Sequence, residues 1–131
     1  MKVVCSVLIG AASVLAAGSA AAHHAFAAEF DINRPVKLTG TVTKLEWTNP
    51  HAWVFIEAKD DKGATQNWAI ELVGINDLLR LGWGRNKVQV GDSIDVDGFG
   101  ARNGTNTANA AAVSLSSTGE LLWKSAAKET K

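Results

Sequence analysis

The common enzyme motifs are missing from this chain, and so is nearly all cysteine. Of 131 residues one is cysteine and two are proline, and 13 basic residues balance 13 acidic ones. The single cysteine, Cys5, falls inside a leader-like stretch, so the remainder has no thiol nucleophile, disulfide or cysteine metal site. A balanced charge gives no electrostatic reason to expect nucleic acid or an anionic membrane as partner. Gly-x-Ser-x-Gly, His-Glu-x-x-His and a phosphate-cradling glycine loop followed by lysine are all absent.

What is present begins with that leader. Lys2 supplies a charged start, Val3 to Ala17 an apolar run, and residues 18–22 a small-residue stretch ending in Ala-x-Ala. The pattern predicts a secretory signal at 1–22, cut after Ala22, and a periplasmic or secreted product with no stable membrane insertion. An uncleaved anchor is the alternative, since the run approaches spanning length. Losing Lys2 leaves the basic residues one short of the 13 acidic ones, a formal charge of −1. With only three histidines in the chain, it is notable that two, His23 and His24, follow the cut directly.

The mature part reads as β structure. Residues 23–35 are taken as an N-terminal arm, in which Phe26 and Phe30 have helical spacing. Val36 to Trp47 alternates as a strand whose parity changes near Thr43 and Lys44, which predicts a bulge or bend. Asn49-Pro50 is a turn signal that sets His51 at a strand end. Ala52 to Lys59 and Thr65 to Leu72 form the next two strands across an Asp-Asp-Lys-Gly turn. A short helix with Asn76 as N-cap and Gly82 as stop follows. Ser93 to Gly100 and Ala108 to Leu115 pair across Asn103-Gly104, Leu121 to Trp123 can add an edge, and residues 124–131 are a frayed tail.

Three strands, a helix and two strands, with a long bent first strand, predict an all-β chain with a small inserted helix. The expected architecture is a five-stranded, partly open barrel of the OB-fold type over 36–123. An immunoglobulin-like sandwich would need about seven strands.

His23-His24-Ala25-Phe26, Glu29-Phe30-Asp31, Leu38 to Val42, Trp47-Thr48-Asn49-Pro50-His51, Gly82-Trp83 and Val90-Gly91-Asp92 also carry a likeness to known sequences. On them the chain resembles a family of secreted bacterial proteins known only as a domain of unknown function. The resemblance implies an exported OB-like domain and no assigned activity.

Two constellations point to binding. A cut after Ala22 makes His23 the first residue, and its α-amine and imidazole can chelate one ion. A third nitrogen from His51 or His24 would complete a thiol-free site suited to Cu(II), with zinc or nickel as alternatives. Glu29 and Asp31 are the nearby carboxylates that could orient an imidazole. The second constellation is aromatic: Trp47, Trp53 and Phe55 could stack on a small ligand or a protein side chain. The leading expectation is an exported binding protein without catalysis, carrying a copper-type site at His23, His24 and His51. A metal-free binding module using the Trp/Phe face is second, and a metal-dependent enzyme third. The pair Asp95 and Asp97 reads as a solvated face that protects a sheet edge.

Overall fold

The computed structural model describes residues 25–125. The leader, His23, His24 and the end of the tail lie outside the described residues.

Alternating apolar residues set the strands, and the turns set their register. β1 (Phe30–Glu46), β2 (Trp53–Lys59) and β3 (Thr65–Glu71) form an antiparallel meander. Asp60 pins the β2–β3 hairpin, because its Oδ1 accepts hydrogen bonds from the Lys62 and Ala64 N–H groups, both at 2.9 Å. The bulge expected in β1 occurs between Val42 and Lys44, where the register against β2 shifts. Thr43 Oγ1 donates to the Phe55 carbonyl there.

After β3 comes α2 (Ile75–Arg80), numbered second because residues 25–29 form a first helical turn, α1. β4 (Ser93–Ala101), β5 (Thr107–Leu115) and β6 (Leu121–Lys124) complete the sheet. β4 pairs with β1 on one side and β5 on the other. Residues 69–71 of β3 then pair in parallel with residues 107–109 of β5, which links five strands in a ring. Beyond those three pairs the same edge of β5 is taken by β6.

The all-β class with a small helix agrees with the sequence reading, and several details change. Among the described residues there are six strands, not five, and Lys124 belongs to β6 and not to the tail. The arm ends at Ala28 or Glu29, since β1 already begins at Phe30 and pairs with Ala101. Pro35 is tolerated in β1 because β2 flanks only Gly40 to Glu46, leaving the earlier half of the strand one open edge. Asn76 does not cap α2. Gly74 holds the N-cap position and the first helical N–H, from Ile75, donates to Asn49 Oδ1 at 3.1 Å. Gly82 does end the helix, with φ at 89°, a conformation that costs glycine nothing. Asp95 and Asp97 are solvated, but β4 is an interior strand, so they guard no edge.

The core fills the ring. Val42, Val54, Ile56, Ile70, Ile94, Val96 and Val113 point inward from the strands. Leu78 of α2 and Trp83 and Val88 from the following loop join the same cluster. Each fully buried aliphatic chain contributes roughly 1.5–3 kcal/mol relative to exposure.

Candidate functional site

Residues of the opposite parity lie on the outer face. The register places Trp53 opposite Glu71, Glu71 opposite Asn109, and Asn109 opposite Phe99, so one row crosses β2, β3, β5 and β4. α1 and the start of β1 lie over this row. Phe26 stacks on Phe30 at 5.7 Å and meets Phe99 edge-on at 6.1 Å between centroids. Arg102 ties the turn down twice, donating from Nε to the Ala27 carbonyl and from its backbone N–H to the Glu29 carbonyl.

Between α1 and the row is a cavity of about 450 Å³ lined by Ala25, Phe26, Glu29, Phe30, His51, Trp53, Glu71 and Asn109. His51 enters it from the turn between β1 and β2, and that turn is fixed by its own sequence. Thr48 Oγ1 donates to the His51 carbonyl at 2.8 Å, and Asn49 reaches α2. The Ala52 N–H donates to the Val73 carbonyl. A side chain on Gly74 would lie 2.8 Å from the Pro50 carbonyl oxygen, so glycine there is what lets the turn sit against the helix start.

The chemistry centres on Glu71. It is 6% exposed, the one buried charged residue among the described residues. His51 Nδ1 lies 3.3 Å from its Oε1, and Asn109 Nδ2 donates to the same oxygen at 3.2 Å. Burial raises the Glu71 carboxyl above the ordinary value, His51 and Asn109 pull it back, and the nearby Glu29 charge pushes it up again. The His51 ring is half exposed. A proton on Nδ1 facing Glu71 leaves Nε2 as a free lone pair, the arrangement that carboxylates impose on metal-binding histidines.

The structure brings together some of the residues singled out in the sequence. His51, Trp53 and Glu29 share the cavity. Asp31 does not line it; its Oδ1 accepts from the Asn33 N–H at 2.9 Å. Phe55 lines a separate groove with Trp68 and Asn106, under the Lys44 ammonium 5.1 Å from its ring centre. Trp47 packs against the core. Trp53 and Phe55 share the outer face of β2 but line different cavities. Among the described residues, no group of three His, Cys, Asp or Glu side chains is placed to hold a metal ion. No helix among them is long and apolar enough to cross a membrane.

Glu71 and Asn109 were missed in the sequence. The available signal was the Asp60 turn, since counting outward from it sets Glu71 across from Trp53. Comparison with curated protein sequences returns no match. The model of a family of unknown function, DUF6152, matches residues 12–110, and the chain belongs to that family.

Proposed function

We propose that this is an exported, non-catalytic binding protein whose site lies under α1, with His51 as the fixed nitrogen of a Cu(II)-type metal centre. The other nitrogens come from the chain's own start: the His23 amine and imidazole after cleavage at Ala22, or His24. Support comes from one observation above the others: Ala25, the first described residue, lines the same cavity as His51. Residues 24 and 23 are one and two Cα steps of about 3.8 Å from it. The buried Glu71 beside Nδ1 adds the partner such an imidazole needs. Nitrogen donors without thiolates favour Cu(II) over softer-ligand metals.

The ring of five strands closed by the parallel β3–β5 contact is also what an OB-type barrel requires, with β6 as an addition. On that reading the cavity lies on the outer face of the second and third strands, where such barrels bind ligands.

The test is Cu(II) titration of protein whose start at His23 has been verified by intact mass. Tight binding should weaken at least about tenfold in His51→Ala, and equally when one residue is added before His23, because the amine chelate is then lost. Copper affinity indifferent to both changes would refute the metal centre.

A further inference from the structure

We propose that the cavity beneath α1 binds a small organic cation, a primary ammonium on an apolar body, against Glu71 and Trp53. This gives the aromatic site a ligand class and does not rest on metal or export. The lining has two carboxylates, Glu29 and Glu71, and three aromatic rings, Phe26, Phe30 and Trp53. Among the described residues no lysine or arginine lines it, and His51 is the one other ionisable group there. Arg102 lines the adjoining cavity, with its Nε already bonded to Ala27.

Glu71 is the more deeply shielded of the two carboxylates. Its side chain is 8% exposed, and both of its polar contacts, His51 and Asn109, use Oε1. Oε2 has no hydrogen-bond partner among the described residues, although the carboxylate lines the cavity. Oε2 is not among the buried atoms that lack a partner, so it is open to the cavity and can accept from a ligand that brings a donor. Because a single oxygen is open, the fit is to a compact ammonium and not to a guanidinium, whose fork needs two.

The aromatic rings then suit the rest of the ligand. Ring faces attract a cation within about 6 Å and also cover an apolar body. At about 450 Å³ the cavity falls at the small end of ligand sites, which run roughly 300–1,000 Å³. Trp53 is half buried and borders a second cavity of about 320 Å³ with Asn103, Thr105 and Thr107, so its indole is reachable from solvent.

The experiment titrates 2-phenylethylamine into the protein in EDTA, followed by the NMR shifts of the Trp53 indole N–H and the Glu71 and Asn109 amides. 2-Phenylethanol, its neutral isostere, is titrated in parallel. Saturable shifts at these three residues are expected for the amine, with the alcohol at least about tenfold weaker. Glu71→Gln should lower amine affinity about tenfold or more, and Glu29→Gln, at an exposed position that leaves the fold intact, should lower it by a smaller factor. Absent shifts, equal binding of amine and alcohol, or an unchanged affinity in Glu29→Gln together with an unchanged or unfolded Glu71→Gln would overturn the proposal. EDTA removes metal from the measurement, so this result and the copper titration succeed or fail separately.

Discussion

β2 and β3 offer two surfaces from one pair of strands. Inward, Val54, Ile56 and Ile70 are at most 1% exposed among other apolar side chains. Outward, Trp53 and Glu71 meet a five-residue turn, with an open cavity between. The inner face is filled and closed by the chain itself. The outer one holds a carboxylate that burial disfavours, an indole left half covered and a histidine at the rim. Stability is concentrated on the first surface and chemistry on the second, and the division follows from the two-residue period of a strand.

The largest test of this division is a truncation inside the ring. Ile70→Ala removes a fully buried side chain and should cost about 2–5 kcal/mol in urea unfolding, while leaving any ligand affinity of the folded protein intact. On the outer face Phe26→Ala should cost less, about 1–3 kcal/mol. It removes two aromatic contacts, each about 0.5–1.5 kcal/mol beyond area, from a partly exposed side chain. Its distinguishing effect is local: amide exchange should accelerate at Glu29, Phe30 and Arg102 and not in β2. Equal acceleration through β2 would mean that the two surfaces are not separable.

The pH dependence sharpens the contrast further. The Glu71 carboxyl is raised in the folded protein, so folding takes up a proton in the window above the ordinary carboxylate value. The stability associated with that proton is fully present below the unfolded value, and it is lost as pH rises through the raised one. Glu71→Gln, which cannot ionise, should flatten this part of the stability-against-pH curve. A fall that persists unchanged in the variant would place its origin elsewhere. The smallest effect belongs to the solvated face shared by β1 and β4: Lys37→Ala, which breaks the exposed 3.3 Å pair with Asp97, should change stability by less than about 1 kcal/mol.

The same division explains what could be read beforehand. The inward pattern of β2 and β3, the bulge near Thr43 and the Asn103-Gly104 hairpin are local signals, and each is found. The first half of β1 was not legible, because Asp31, Asn33 and Pro35 disfavour strands; only Phe30 and Pro35 onward pair with β4, and residues 31–34 lie in a register irregularity between them. The cap of α2 was equally hidden, since the accepting oxygen comes from Asn49, 26 residues upstream. At the site, His51, Trp53 and Glu29 stood out as residue types. Glu71 looked like one polar residue in an alternating strand. Its importance comes from Asn109 and α1, which lie next to it only once β3 and β5 pair.

The central claim is that Glu71 holds the proton of His51 on Nδ1 and turns Nε2 outward, and the ¹⁵N chemical shifts of the His51 ring in metal-free protein test it most directly. An Nδ1–H tautomer that reverts to the ordinary mixture in Glu71→Gln is the expected result. A ring protonated on Nε2 in the unaltered protein, insensitive to Glu71, would contradict the account.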